Sequence, residues 1–318
     1  MTPLSPASDS GVDMEGAARS MTHEQGGRER GGWSRRQLLI GSAAGVLAAG
    51  GGWSTAAQAA DNTSPIPTLP GEISRTATRF TRDAKLPYEC IDVSISGDRA
   101  RLFVPHSAVP KSKTAVGVLW VFHSNGSTYT SLDGAHLYSG ELAAERGAVV
   151  ICPNYGGSLW TTNASIQYQK NATAYVTAVW KVGLSFLRAN SGGGPLMTYS
   201  YGTKLIPALR GMYLANAAYD MEDLYDRDER VRTTYKFDRA AAVATNPARL
   251  PQSSWTGARL KTLVSAADPL VPPAAHGVAL ADMARPVAAE VIVQWHQYGH
   301  TVPGWSSKDM ITTFEGWY

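Results

Sequence analysis

The chain has 318 residues, 44% of them hydrophobic and 17% charged, with a formal net charge of +3. That is ordinary globular composition and enough length for one large domain with a full core. The charge is unchanged when the five arginines and five acids of residues 1–59 are set aside, and so weak a charge argues against a nucleic-acid partner or a polybasic membrane contact.

The N-terminus reads as an export signal. Ser34-Arg35-Arg36-Gln37-Leu38-Leu39 has the twin-arginine form, a short Ala- and Gly-rich apolar run follows to about Gly52, and Ala57-Gln58-Ala59 offers small residues for cleavage after Ala59. The run is shorter than the ~20 strongly apolar residues that span a bilayer, so no stable membrane insertion is expected after cleavage. The partner implied is the twin-arginine export machinery, which carries folded proteins out of bacterial cells, and the expected location is extracellular. Met21 lies nearer the arginine pair than Met1 and is a second candidate start.

Residues 60–84, with Pro65, Pro67 and Pro70, read as a linker, and 85–318 as the catalytic domain. From there strand and helix patterns alternate, which predicts an α/β sheet. Expected strands are Tyr88 to Ser96 and Arg99 to Val104, joined as a hairpin across Gly97-Asp98, then the continuous apolar run Val116 to Phe122, and Ala148 to Cys152 after a helix from Leu137 to Arg146. Val176, Val179, Trp180, Leu184 and Leu187 recur at threes and fours and predict a helix from Asn171 to Asn190, stopped by Ser191-Gly192-Gly193-Gly194. Leu196 to Tyr199 reads as a short strand delivering Ser200 to a following helix, in which Pro207 implies a kink or late start. Strands are expected at Ala240 to Ala244, Thr262 to Ala266 and Glu290 to Trp295, with a helix from Ala274 to Ala284. Asp220 to Lys236 reads as solvated surface. Cys90 and Cys152 fall on strands with another between them, too far apart to bridge.

Three motifs carry chemistry: Ser200 in Thr-Tyr-Ser-Tyr-Gly, Asp268 in Asp-Pro-Leu-Val-Pro, and His300 in Gly-His-Thr-Val-Pro-Gly. Acyl transfer by a serine needs a base to take its proton and an acid to orient that base. Ser200 is the expected nucleophile, with Gly202 in the small-residue slot after it and Thr198 where glycine is usual before it. Asp268 follows a strand, and its other reading is a cap for the helix near Pro273. His300 follows the last strand behind Gly299, and its competitor is His296. No spacing of His, Cys or acids suggests a metal site, and no cofactor is expected.

The order Ser, Asp, His is that of the α/β-hydrolase superfamily, which the chain resembles over roughly residues 85–318. Its Asp268 and His300 motifs are similar to those of secreted polyhydroxyalkanoate depolymerases and feruloyl or acetylxylan esterases. The resemblance implies an α/β-hydrolase fold, a mostly parallel sheet of about eight strands with helices on both faces and little or no lid. His123-Ser124-Asn125-Gly126 then occupies the oxyanion-loop position, so the expected oxyanion donors are the amides of Asn125 and Tyr201; Ser124 in a glycine slot leaves the first of these open by one residue. An aromatic rim including Trp160, Tyr199 and Trp305 is expected to bind substrate, each ring having core packing as its alternative. The function implied is secreted hydrolysis of small or polymeric carboxylic esters through an acyl-enzyme. An acyltransferase using the same triad and a catalytically inactive binding protein on the same fold are the alternatives.

Overall fold

The computed structural model describes residues 64–157 and 160–318. The twin-arginine segment, the cleavage position after Ala59 and both candidate starts lie outside the described residues. No helix among the described residues is long and apolar enough to cross a membrane.

In chain order the elements are β1 (Glu72–Arg75), β2 (Arg79–Phe80), β3 (Pro87–Ile95), β4 (Asp98–Pro105), β5 (Val116–Phe122), α1 (Leu137–Glu145), β6 (Val149–Pro153), α2 (Asn163–Val179) and β7 (Val182–Asn190). There follow α3 (Gly194–Gly202), β8 (Leu209–Ala215), α4 (Met221–Arg227), α5 (Glu229–Thr234), α6 (Arg239–Ala244), β9 (Arg259–Ser265), α7 (Gly277–Ala284), β10 (Glu290–His296) and α8 (Ser306–Gly316). The described residues form a ten-stranded sheet in the order β1-β3-β4-β6-β5-β7-β8-β9-β10, with β2 beside β3. From β6 to β10 every pairing is parallel, and the strands before them are antiparallel.

One face of the sheet is covered by α2, α3 and α7, through residues such as Val176, Leu196 and Leu280, and the other by α1 and α8, through Leu142, Met310 and Phe314. Two covered faces explain why β5 is apolar without alternation: Val118 to Phe122 are all buried. The β3–β4 turn places Ser96 and Gly97 at φ of 50° and 86°, the left-handed pair that matches the twist of a tight hairpin. Cys90 and Cys152 sit on β3 and β6 with β4 between them. Both thiols are free and buried, and burial pushes them up to about 11 and about 12, so they stay protonated near neutral pH.

The middle of the chain departs from the sequence reading. Residues 171–190 are the end of one helix and a whole strand: α2 stops at Trp180, whose backbone is extended (φ −127°, ψ 148°), and β7 begins two residues later. Leu184 and Leu187 continue the helical spacing by coincidence. Ser185 to Asn190 are buried on both faces, so the strand shows no alternation to betray it. Leu196 to Tyr199 belong to α3, where Pro195 occupies the first turn, a position that suits proline in a helix. Pro207 is in the turn leading to β8, a strand the sequence reading lacked. Ala240 to Ala244 form a helix, because Asp238 caps it by accepting the Ala241 N–H at 3.1 Å and alanine favours helix.

Two further corrections concern the edges. Part of 60–84 is no linker: β1 and β2 pair with β3, and Ile66 and Leu69 are buried in the core. Asp220 to Lys236 is no bare surface either. Helices α4–α6 bury Met221, Leu224, Tyr225, Val231, Tyr235 and Ala242 around Trp160, Ala218 and Val271, forming a small helical cap between β8 and β9.

Candidate active site

Loops leave the carboxyl edge of the parallel strands, where open α/β sheets bind ligands. Those after β5, β7, β9 and β10 carry Asn125, Ser191, Asp268 and His300. Asp268 and His300 meet: Nδ1 of His300 is 2.8 Å from Oδ2 of Asp268. Oδ1 of the same carboxylate accepts the N–H groups of Leu270 and Val271, both at 3.0 Å. A buried carboxylate so held is the acceptor that fixes Nδ1 as the protonated nitrogen. Nε2 is thereby left to accept, and the hydroxyl 2.8 Å from it belongs to Ser191.

Ser200 is elsewhere, and the sequence expectation for it is corrected. It is fully buried in α3, and its Oγ donates to the Leu196 carbonyl one turn back at 2.7 Å. Thr198, read as part of an elbow, does the same toward Gly194 and Pro195. Hydroxyls bonded to their own helix point along its wall rather than into a site.

Ser191 has the geometry that Ser200 lacks. It lies between β7 and α3 with φ of 48°, a left-handed conformation costly for any residue but glycine or asparagine. The surrounding Ala189-Asn190-Ser191-Gly192-Gly193 is a small-x-Ser-x-Gly turn of the nucleophile-elbow type. Close approach explains the glycine: a Cβ on Gly193 would fall within the carbonyl group of Phe122. The sequence carries this signal, but Ser191-Gly192-Gly193-Gly194 also has the composition of a helix stop, which masks it.

The Asn125 amide nitrogen comes within 2.8 Å of where a Cβ on Gly192 would be, so the loop after β5 lies directly against the residue after Ser191. Ser124 Oγ donates to the Asn190 carbonyl at 3.3 Å, and His123 spans the carbonyls of Ser124 and Asn154 at 3.0 and 2.9 Å, pinning this loop to β7 and to the end of β6. Tyr201 has no place here. It lies in the last turn of α3 with its ring stacked near Trp255, so its expected oxyanion role is corrected, and Gly192 is the residue that follows the hydroxyl.

Among the expected rim aromatics, Trp160 reaches the site, its Cζ3 3.1 Å from the position of a Cβ on Gly192. Tyr199 is half-buried on α3 and packs against the core, which removes it from the rim. Trp305 is exposed at the head of α8, in the segment after His300. The sequence reading missed Asn216, whose Nδ2 donates to the carbonyls of Gly299 and Thr301 at 3.1 Å and so anchors the His300 loop. Its Oδ1 also takes His296 Nε2 at 2.8 Å, which occupies the rival histidine. Ser265 adds an acceptor for the Gly299 N–H.

A larger cleft of about 1030 Å³, lined by residues including Asp83, His106, Glu145 and Lys308, lies at the amino edge of the parallel strands, away from Ser191. Among the described residues no group of three or more His, Cys or acids could hold a metal ion.

No protein-family model and no curated protein sequence matches the chain. Solved structures do. S-formylglutathione hydrolase from Agrobacterium tumefaciens superposes with a TM-score of 0.55 at 15% identity, over 78% of this chain and 96% of that one. The chain has the α/β-hydrolase fold. Acetyl xylan esterase from Paenibacillus sp. R4 matches at 0.53 and 12% identity over 77% of this chain and 89% of its own. Carboxyl esterase 2 of Tuber melanosporum matches at 0.52 and 14% over 75% and 88%.

Proposed function

We infer that the protein is a serine hydrolase of carboxylic esters and that Ser191, not Ser200, is its nucleophile. The supporting observation is the unbroken chain from the Ser191 hydroxyl through His300 to the buried Asp268, 2.8 Å at each link, on a strained strand-to-helix turn. Nε2 of His300 takes the proton of Ser191 as Oγ attacks the acyl carbon. The imidazolium that results is held by Asp268 and returns the proton to the leaving alcohol oxygen. Gly192 and Asn125 are the proposed amide donors to the oxyanion, each worth about 3–4 kcal/mol in the transition state. Water, deprotonated by the same histidine, then releases the acid from Ser191.

The enzyme is proposed to act outside the cell, on the strength of the twin-arginine segment; N-terminal sequencing of exported protein should begin at Ala60. Fluorophosphonate labelling tests the chemistry. Label is expected on the wild type and on Ser200→Ala and is expected to vanish in Ser191→Ala; label that persists in Ser191→Ala would remove the proposed nucleophile.

A further inference from the structure

The geometry points to Trp160 as the residue that limits the acyl group to acetyl size, an inference that rests on the hydrolase reading above. A tetrahedral carbon bound to Ser191 Oγ carries three other groups. Its oxyanion must face the Gly192 and Asn125 amides, and its leaving oxygen must lie within reach of His300 Nε2 to be protonated. The acyl substituent takes the remaining direction, away from His300 and along the wall beside Gly192.

Trp160 forms that wall. The space left between its ring, Phe122, Tyr155, Leu196 and the loop after β5 is about 20 Å³. That holds one group the size of a water or a methyl. Phe122, Tyr155, Trp160 and Leu196 give this space an apolar part against which a methyl fits, while His123, Ser124 and Asn125 supply its polar part, where the oxyanion is proposed to bind. The alcohol side differs: His300 is 24% exposed, and Tyr298, Trp305 and Leu270 stand exposed on the loops that carry His300 and Asp268. A small acyl group joined to an alcohol of unrestricted size is the substrate class that this asymmetry selects.

The wall is held in place. Trp160 has φ of 50°, its carbonyl accepts the Ser165 hydroxyl at 2.8 Å, and the next residue, Thr161, is hydrogen-bonded to the Tyr235 hydroxyl of the helical cap at 3.0 Å. Its ring packs with Ala218, Met221 and Val271. Such anchoring makes it a fixed gauge of acyl length. Its indole N–H is buried without a partner, so Trp160→Phe shortens the wall and removes no hydrogen bond.

The test measures kcat/KM of the mature protein on p-nitrophenyl acetate, butyrate and octanoate, with folding checked by near-ultraviolet circular dichroism. The wild type should prefer acetate over butyrate by at least about tenfold, since two misplaced methylenes cost that much or more in a tight pocket. Trp160→Phe should narrow the ratio, and Trp160→Ala should narrow it by about tenfold or reverse it. Should Trp160→Ala fail to fold, Trp160→Phe decides the matter alone. A wild type equally active on butyrate, or folded Trp160 variants with the wild-type ratio, would overturn the acyl gauge and leave the hydrolase reading standing. No turnover of any of the three esters would overturn both.

Discussion

Ser191 and Ser200 stand at opposite ends of one short helix and have opposite fates. Ser191 precedes α3 on a backbone twisted to positive φ, with its hydroxyl against His300; Ser200 lies inside α3, with its hydroxyl spent on Leu196. Both are followed by small or aromatic residues that fit a local motif. What separates them is where the strand ends, because only the residue at that junction is lifted off the sheet edge toward the other loops. The same contrast recurs in two His–Asp pairs. His300 gives one nitrogen to Asp268 and offers the other to Ser191. His276 lies 3.0 Å from Asp223 and 3.3 Å from Arg227 through Nε2, while its Nδ1 accepts the N–H groups of Tyr219 and Asp220; it is fully buried, faces no serine, and fastens the turn after β8 and α4.

The sharpest break of this comparison is Ser191→Ala, which should lower kcat on p-nitrophenyl acetate by about 10⁴–10⁶-fold with the fold intact. A loss of less than tenfold would return Ser200 or another group to consideration. Next comes pH. Burial holds His276 down at about 4 against an ordinary 6.5, with Asp223 opposing in part, and burial also lowers fully enclosed His136, whose Nδ1 accepts from Arg188. A histidine kept neutral by folding binds its proton more readily in the unfolded chain. Its contribution is therefore present above pH 6.5 and lost as pH falls toward 4. For His276 this amounts to on the order of 3 kcal/mol. Urea midpoints should fall across that window, and His276→Gln should flatten the slope; a midpoint independent of pH there would contradict the buried neutral state.

Gly193→Ala should follow, destabilising by about 1–3 kcal/mol as the new methyl displaces the Phe122 carbonyl, with a lower Tm by calorimetry. An unchanged Tm would mean that the elbow is looser than the structure shows. Smallest is Ser200→Ala. Its hydroxyl bonds only a carbonyl within its own helix, so stability should change by less than about 1 kcal/mol and kcat/KM should stay at the wild-type level.

The outer parts of the fold were legible because their signals are local. The β3–β4 hairpin shows alternation and a turn-forming Gly97, β5 is a bounded apolar run, and α1 ends at a glycine; the structure has each within a residue or two of the expected bounds. Residues 163–215 were not legible for a physical reason. A strand covered on both faces carries no period of two, and β7 happens to extend the apolar spacing of α2, so the boundary at Trp180 was invisible and the strand that delivers the nucleophile was displaced from Val182–Asn190 to Leu196–Tyr199. Asn216 escaped notice because its role is to bond backbone carbonyls 83 and 85 residues onward, which no local pattern encodes.

From its sequence alone the chain determined an α/β architecture and the positions of Asp268 and His300, since each follows a strand whose own residues mark its end. Which serine meets them was decided only by tertiary structure. A hydroxyl is chemically the same at 191 and 200, and the difference lies in the sheet: β7, paired between β5 and β8, ends at Asn190 and presents the next residue to a histidine delivered from the end of β10, three strands away.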